Sequence, residues 1–303
     1  MVLLAREFKM ADAVAPFVSF NNITYFRSFV ACFVIAVGYV ASLYINKSPL
    51  PRDHPKTIYQ RFKSVAVVSL SAPVYVWLWS DNRLQTNQEH AVYSLWRWLG
   101  IHVSNTLTAA ALPLFLTIIL FLGPLLLLLL NGDVKLKLSG YFKYNSMLLD
   151  SVQIRNYIVA PLTEEFVYRA CMLPLLVPCF GVTTSIIICP LFFGVAHVHH
   201  VIERLCVNNE DPKEVWLSAL FQFGYTTVFG AYSAFLFVRT GHLIGPVVCH
   251  SFCNFMGFPQ VEEVPNSKYP KIIAGSFVVG LVVFLLLALP LTEPSLYGSI
   301  YYL

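Results

Sequence analysis

The stretch PLTEEFVYRACMLPLL, residues 161–176, places three ionisable side chains at the head of an apolar run. Glu164 and Glu165 are adjacent, and Arg169 follows four residues after Glu165. Charged groups among so many apolar residues are costly unless they are paired with each other or used in chemistry. The stretch therefore raises a question about both the fold and the function of the chain.

The composition of the chain indicates where such a stretch would lie. Of the 303 residues, 57% are hydrophobic and only 12% are charged, and the mean hydropathy is +0.66. These values are far from the averages of soluble proteins, so we predict an integral membrane protein. No internal repeat, low-complexity tract or long linker is visible. We therefore expect a single integral membrane domain over residues 1–303.

Runs without Asp, Glu, Lys or Arg locate the membrane spans, because a helix that crosses the hydrocarbon core needs ~20 predominantly apolar residues. Gly181 divides the longest run into two helices, and interfacial residues precede the third span. The predicted fold class is an all-α polytopic membrane protein, a bundle of about eight transmembrane helices around an intramembrane polar cavity. The spans are predicted at 28–46, 64–80, 107–130, from near 161 to 181, 183–200, 215–238, 240–261 and 272–292.

The charges of two loops predict the orientation of the bundle. Lys and Arg are concentrated in the loops 47–63 and 131–145, and such residues accumulate on the cytoplasmic side of a membrane. Two spans separate these loops, as a single orientation requires, so both termini are expected on the opposite side. The first residues lack the order of a signal peptide, and we expect the first span to act as the targeting signal.

The seven cysteines mostly lie in or beside apolar runs, where a free thiol behaves as a small hydrophobic group. The sequence contains no CxxC metal motif, and the cysteines do not form a recognisable disulfide framework. We accordingly expect neither a metal nor a cofactor.

Helix geometry suggests different positions for the two glutamates. Pro161 suits the first turn of a helix, so we begin the fourth span near that residue. Glu165 and Arg169 then lie on one helix face and can neutralise each other. Glu164 lies about 100° round the helix from Glu165, and it is free to face a cavity. The alternative is an ion-pair cluster at the membrane interface that only anchors the helix.

Two further polar clusters favour a functional site over an anchor. His197 lies near the end of the fifth span, with Phe193 one turn before it. His250 and Asn254 are four residues apart in the seventh span, so their side chains project from one face. The predicted topology brings Glu164 and these polar groups to the cytoplasmic side of the membrane. That agreement favours one polar site.

These residues form three motifs in a fixed order, and the ordered set resembles the type II CAAX prenyl endopeptidases of the CAAX-protease and bacteriocin-processing superfamily. The stretches at 155–176 and 239–259 are similar to the eukaryotic branch, the Ras-converting enzymes. The resemblance covers roughly residues 145–260, which we take as the catalytic core. The motifs are Glu-Glu-x-x-x-Arg (Glu164, Glu165, Arg169), Phe-x-x-x-His (Phe193, His197) and His-x-x-x-Asn (His250, Asn254).

The resemblance implies a glutamate-dependent intramembrane protease of the endoplasmic reticulum with its active site facing the cytosol. Such enzymes remove the last three residues of farnesylated or geranylgeranylated CAAX proteins, including Ras-like GTPases. The implied partners are these substrates and membrane lipid, with no nucleic acid. The family assigns water activation to Glu164 and His197, and an oxyanion site to His250 and Asn254. Glu165, Arg169 and Phe193 are expected to support them.

The chemistry of these side chains fits the implied roles. Amide hydrolysis needs a base for water and a proton source for the leaving amine, which Glu164 can provide. His197 can orient the water or share its proton. A tetrahedral intermediate carries a developing oxyanion that fixed donors stabilise. Asn254 cannot titrate, so it suits a donor better than a base.

Other classes of function remain open at this point. A zinc-dependent membrane protease could use Glu164, His197 and His250 as ligands, although HExxH and HxxEH motifs are absent. A cysteine protease could pair Cys253 with His250, but no neighbour in sequence obviously activates the thiol. Outside enzymology, a transporter could line a pore with these groups, or the chain could be an inactive scaffold.

The implied substrate has two parts that the protein must accommodate, a prenyl chain and a C-terminal carboxylate. A prenyl chain is expected to enter laterally between helices, and the carboxylate of the tripeptide needs a cation or amide donors. Arg155, just before the predicted fourth span, is one candidate for that cation. Snorkelling of Arg155 to the membrane interface is the favoured alternative.

Overall fold

The described part of the chain folds almost entirely into helices. The computed structural model describes residues 17–46, 48–81, 93–130, 150–196, 201, 204–205 and 210–302. Two short strands, β1 (Phe17–Val18) and β2 (Tyr93–Ser94), pair antiparallel. The helices are α1 (Tyr25–Ile45), α2 (Pro55–Leu78), α3 (Leu95–Trp98), α4 (Thr106–Leu120), α5 (Leu122–Leu130), α6 (residues 151–170), α7 (Leu173–Ala196), α8 (Pro212–Thr240), α9 (Ile244–Met256) and α10 (Pro270–Leu291). Short 3₁₀ turns lie at Val261–Asn266, Pro294–Leu296 and Ile300–Tyr302.

The all-α prediction is confirmed, and each of the eight predicted spans overlaps at least one helix of the described residues. Among the described residues, α1, α7 and α10 are long and apolar enough to cross a membrane by length and composition alone. The bent pair of α4 and α5 meets the same criterion when the two helices are taken together as one span. The other predicted spans contain more polar helices or, in α9, a shorter apolar one.

Two predicted helix boundaries differ from the structure near the second and third spans. Helix α2 begins at Pro55 rather than at 64, and the ring of His54 caps it by accepting a hydrogen bond from the Lys56 backbone N–H. Part of the predicted loop 47–63 is therefore helical. The third span is two helices, α4 and α5, that meet at 65°. Pro124 explains this bend, because proline cannot donate to the carbonyl four residues earlier.

Helix α6 begins at Ser151, not near Pro161 as predicted, and it alternates between two helical forms. Ser151–Ile154 and Ala160–Glu165 are α-helical, whereas Arg155–Val159 and Phe166–Ala170 are π-helical turns. A π-helical turn is wider than an α-helical one and frequently marks a functional site. The wider turn before Pro161 lets the proline lie inside a longer helix, so it does not mark the helix start. The break predicted at Gly181 is confirmed, since this residue has φ 72° and ψ 165° within α7.

The main hydrophobic core lies where α1, α6, α7 and α8 meet. Helix α9 packs against α4, α6 and α8, while α10 packs against α4 and α5. Large apolar side chains such as Leu217 and Val228 of α8 and Leu285 of α10 remain exposed. Wide apolar surfaces of this kind are expected where helices face lipid rather than water. The packing leaves a cavity between α2, α6, α8 and α9, with α4 and α10 along one side.

Candidate active site

His250 lies between the two adjacent glutamates. Its Nδ1 atom is 2.7 Å from Oε1 of Glu165, and its Nε2 atom is 3.9 Å from Oε2 of Glu164. Because a carboxylate only accepts hydrogen bonds, Nδ1 carries the proton of the short contact. Nε2 is therefore the ring atom that faces Glu164. The Glu164 side chain is 22% exposed, whereas that of Glu165 is fully buried.

Glu165 is held from three directions in the core. The Ser233 hydroxyl of α8 donates to its Oε2 atom, and His250 donates to its other oxygen. The Nε atom of Arg169 lies 3.3 Å from Oε2, and neither partner of this ion pair is exposed. The predicted pairing of Glu165 with Arg169 is thus confirmed. Glu165 orients His250, and it faces the core instead of the cavity.

Phe193 completes the surroundings of the ion pair. The guanidinium of Arg169 stacks over its ring at 4.5 Å from the centroid, a favourable cation–π geometry. The ring also meets Tyr168 edge-on at 5.1 Å. The motif phenylalanine of α7 therefore packs against the buried guanidinium.

Two carbonyl groups of the first π-helical turn anchor α9 beside the glutamates. The Asn254 amide donates to the carbonyl of Asn156 at 2.8 Å, and the Ser251 hydroxyl donates to that of Tyr157 at 2.7 Å. Pro161 has no N–H to donate to Tyr157, and the Ala160 N–H bonds to Arg155 instead of Asn156. The sequence of α6 thus leaves these carbonyls available for side chains of α9.

A cavity of about 1300 Å³ connects these groups. Glu164, Phe193, His250 and Asn254 all line it, as expected for a shared site. Thr163 and Tyr39 also reach it, joined by a 2.9 Å hydrogen bond between their hydroxyls. Aromatic side chains cover the wall formed by α8 and α10, namely Phe221, Tyr225, Phe229, Tyr232 and Phe284.

Basic side chains lie on the opposite side of the cavity. Arg52, Arg61 and Arg155 line it there, and Nη1 of Arg155 lies 2.7 Å from Oδ1 of Asp53. The hydrogen bond from Arg155 and the charges of Arg155, Arg52 and Arg61 hold the pKa of Asp53 below its usual value. The structure therefore shows Arg155 paired with an acid rather than pointing alone into the interface.

The sequence-predicted site residues fall into three groups. Glu164, His250, Asn254 and Phe193 share the cavity, while Glu165 and Arg169 lie behind it. His197 lies outside the described residues. Cys253 also lines the cavity. Among the residues that the structure describes, no group of three His, Cys, Asp or Glu side chains is arranged to hold a metal ion.

Sequence reasoning missed Ser233 and Phe229, both on α8. Ser233 donates to Glu165, and the ring of Phe229 packs on His250 with centroids 4.8 Å apart. A serine or a phenylalanine in an apolar helix does not indicate, from sequence alone, that it contacts a site residue. Their roles depend on how α8 crosses α6 and α9, which helix periodicity does not specify.

Comparison with known proteins places this site in a family. A family model described as type II CAAX prenyl endopeptidase Rce1-like matches residues 151–256. The chain is 49% identical over 278 residues to CAAX prenyl protease 2 of Homo sapiens, covering 89% of this chain and 82% of the relative. It is 33% identical over 289 residues to CAAX prenyl protease 2 of Arabidopsis thaliana, covering 88% and 90%.

A more distant relative shows the same assignment. The chain is 29% identical over 257 residues to CAAX prenyl protease 2 of Saccharomyces cerevisiae, covering 77% of this chain and 81% of the relative. No solved structure matches the chain significantly. The matched region contains the glutamate pair, His250 and Asn254. The chain therefore belongs to the Rce1-like type II CAAX prenyl endopeptidases, and it is a membrane protease.

Proposed function

We propose that this protease removes the C-terminal tripeptide from farnesylated or geranylgeranylated CAAX proteins, among them Ras-like GTPases. The observation that carries the proposal is that Glu164, His250 and Asn254 line one cavity. The cavity also has an aromatic wall that suits an isoprenoid chain. The relatives named CAAX prenyl protease 2 support this substrate class.

Glu164 is the base in the proposed mechanism. It takes a proton from a water molecule, which attacks the carbonyl carbon of the scissile peptide bond, and it later delivers that proton to the leaving amine. The partial exposure of Glu164 to the cavity supports this role. His197, for which the family resemblance is the only support, orients the water.

His250 and Asn254 stabilise the oxyanion of the tetrahedral intermediate. With Nδ1 bound to Glu165, His250 donates from Nε2 when the ring carries both protons. The amide nitrogen of Asn254 has two hydrogens, and only one is needed for its bond to Asn156.

The proposed location is the membrane of the endoplasmic reticulum, with the cavity open to the cytosol. Arg52 and Arg61 support this orientation, because they belong to the basic segment that loop charge assigns to the cytoplasmic side and they line the same cavity as Glu164. CAAX substrates are attached to a membrane through their prenyl group, and their peptide part lies in the cytosol. A cavity between membrane helices that is open to the cytosol meets both parts.

The experiment that tests the proposal compares wild-type enzyme with Glu164→Gln in detergent or vesicles. Purified enzyme is given farnesylated and unprenylated CAAX peptides, and released tripeptide is quantified. We expect release from the farnesylated peptide by the wild type and none by Glu164→Gln, although the variant accumulates normally. Near wild-type turnover by Glu164→Gln would remove the glutamate mechanism.

Three further variants test the partner roles. We expect His250→Ala and His197→Ala to abolish cleavage, and Asn254→Ala to lower kcat roughly 10²- to 10³-fold, the usual loss for one oxyanion donor. Cys253→Ser is expected to retain activity. Loss of activity in Cys253→Ser, or on washing with a chelator and recovery with zinc, would favour the cysteine or zinc alternative.

A further inference from the structure

The cavity is strongly asymmetric in charge and polarity. The guanidinium groups of Arg52 and Arg61 lie on the side formed by α2 and the segment before it. The only acidic side chain among the described lining residues is Glu164. Arg155 also lines the cavity, but Asp53 neutralises it at 2.7 Å. Arg61 therefore adds a positive charge to the α2 side of the cavity that Glu164 also lines.

Arg61 is a lining cation of this side that takes part in none of the ion pairs of the described residues. Within the part of the chain that the structure describes, no carboxylate lies within 4.0 Å of its guanidinium nitrogens. The Cζ atom of Arg61 lies over the ring of Tyr44, 6.0 Å from the ring centroid. The side chain is partly buried. A partly desolvated guanidinium without a carboxylate partner is well suited to bind one from a ligand.

Aromatic rings form much of the cavity wall at α8 and α10. From His250, the ring of Phe229 lies at 4.8 Å, and Tyr232 follows Phe229 by about one helical turn. Tyr232 in turn meets Phe284 of α10 edge-on at 5.5 Å. Phe229, Tyr232 and Phe284 thus form an aromatic part of the wall that begins beside His250. A ligand that spans the site would lie with its apolar end there.

We propose that Arg61 binds the C-terminal carboxylate of the substrate. The inference rests on the proposed function and deepens it, because a CAAX substrate has an isoprenoid group near one end of the scissile segment and a free carboxylate at the other. The polarity of the cavity fixes the direction of the peptide, with the isoprenoid along α8 and α10 and the carboxylate at α2. Glu164 and His250 line the same cavity.

If Arg61 binds the substrate in this way, cleavage depends on a free C-terminus in the substrate. Arginine presents its N–H groups as a fork that matches the two oxygens of a carboxylate. An internal peptide carbonyl carries no full charge and cannot replace that contact. A cation at a fixed position relative to Glu164 also sets how many residues lie between the carboxylate and the scissile bond. Arg61 is thus a substrate-binding residue, and it takes no part in proton transfer.

The test is a double-mutant cycle that varies the side chain of Arg61 in the enzyme and the C-terminal carboxylate in the substrate. Farnesylated peptides that are identical except for a free or an amidated C-terminus are assayed with wild type, Arg61→Ala and Arg61→Gln. For wild type we expect amidation to lower kcat/KM about 10- to 100-fold, the range for a hydrogen bond to a charged group. Both variants are expected to lose a similar factor on the free-carboxylate peptide and to discriminate little between the two peptides.

Lys63 provides a matched control on the same helix. It is exposed and lies outside the cavity lining, so Lys63→Ala removes a charge without removing the proposed contact. We expect it to retain the wild-type preference for the free carboxylate. Arg61→Lys keeps the positive charge but lacks the paired N–H groups of the guanidinium. We expect its preference for the free over the amidated peptide to lie between those of wild type and Arg61→Ala. Thermal unfolding of each variant in detergent checks that the helix is intact.

Two results would overturn the inference while leaving the proposed function in place. One is a wild-type enzyme that cleaves free and amidated peptides equally well. The other is an Arg61→Ala or Arg61→Gln enzyme that loses the same factor on both peptides. Failure of the proposed function looks different, because wild-type enzyme would then release no tripeptide from either prenylated peptide.

Discussion

The Nδ1 atom of His250 lies 2.7 Å from Oε1 of Glu165, and this hydrogen bond joins α9 to α6 at the predicted active site. Glu165 is also the counter-ion of Arg169, which is completely buried. One carboxylate therefore orients a histidine of the site and neutralises a cation in the core. These two tasks can be separated by mutation.

Glu165→Gln is expected to lower both stability and activity. Removing one partner of a buried ion pair leaves the other charge uncompensated, which typically costs about 3–5 kcal/mol. The variant also loses the carboxylate that fixes the Nδ1 proton of His250. We expect a lower melting temperature in detergent and a low kcat on a farnesylated peptide.

The double variant Glu165→Gln/Arg169→Met separates the two effects. It removes both charges, so much of the lost stability is expected to return. Activity is expected to stay low, because His250 still lacks its carboxylate. A double variant with near wild-type kcat would show that Glu165 serves only as a counter-ion.

The helix-face relationship of the motif could be predicted from sequence, whereas its surroundings could not. The i, i+4 spacing of Glu165 and Arg169 predicts their pairing, and the structure contains that pair. The bond from Ser233 requires the crossing of α8 with α6, and a one-dimensional pattern does not encode this contact. Pro161 was misleading, because proline usually marks the first turn of a helix and here follows a π-helical turn.

The π-helical turn also explains why the position of Asn254 was only partly predictable. Its spacing from His250 predicts one shared face, and both residues do line the cavity. The carbonyl of Asn156, to which Asn254 donates, is available only because the helix departs from α geometry there. Propensity and periodicity describe regular helices, so they fail at such a departure.

Phe193 is expected to act through packing and through its contact with Arg169. Phe193→Ala removes a buried ring and is predicted to destabilise the protein by about 3–5 kcal/mol. Phe193→Leu restores much of the volume but lacks the π face below the guanidinium, and a smaller loss of about 1–2 kcal/mol is expected. Thermal or denaturant unfolding in detergent measures both. Equal stability of Phe193→Leu and wild type would show that the cation–π contact contributes nothing.

Gly230 lies where α8 crosses α7, and a larger residue is expected to separate the helices. A Cβ atom at this position would lie 2.6 Å from Cβ of Pro190 and 3.0 Å from Nη2 of Arg169. Gly230→Ala is therefore predicted to destabilise the protein by about 1–3 kcal/mol through overpacking.

Gly224 on the same helix is the matched control for Gly230. A Cβ atom there would meet no atom within 4 Å, and Ala has the higher helix propensity. Gly224→Ala is accordingly expected to leave the melting temperature unchanged or slightly higher. A similar melting temperature for Gly230→Ala and Gly224→Ala would contradict the close crossing of α7 and α8.

The loop between α8 and α9 is predicted to make stability depend on pH through His242. This residue lies outside both helices, and its buried ring is 3.8 Å from that of His102 between centroids. Burial, together with His102 and Arg97, lowers the pKa of His242 to about 3. The unfolded chain, in which the pKa of histidine is about 6.5, therefore binds more protons than the folded protein between these two values.

The contribution of His242 to the free energy of unfolding is therefore fully present above the pKa of histidine in the unfolded chain. It is lost as the pH falls below that value, by up to about 1.4 kcal/mol per pH unit. The variant His242→Leu cannot titrate at this position. Melting temperatures measured in detergent from pH 7.5 to pH 5 are expected to fall more steeply for wild type than for His242→Leu, a difference in slope that does not depend on their stabilities at neutral pH. Parallel curves for the two proteins would mean that the folded chain accepts a proton at His242 as readily as the unfolded chain does.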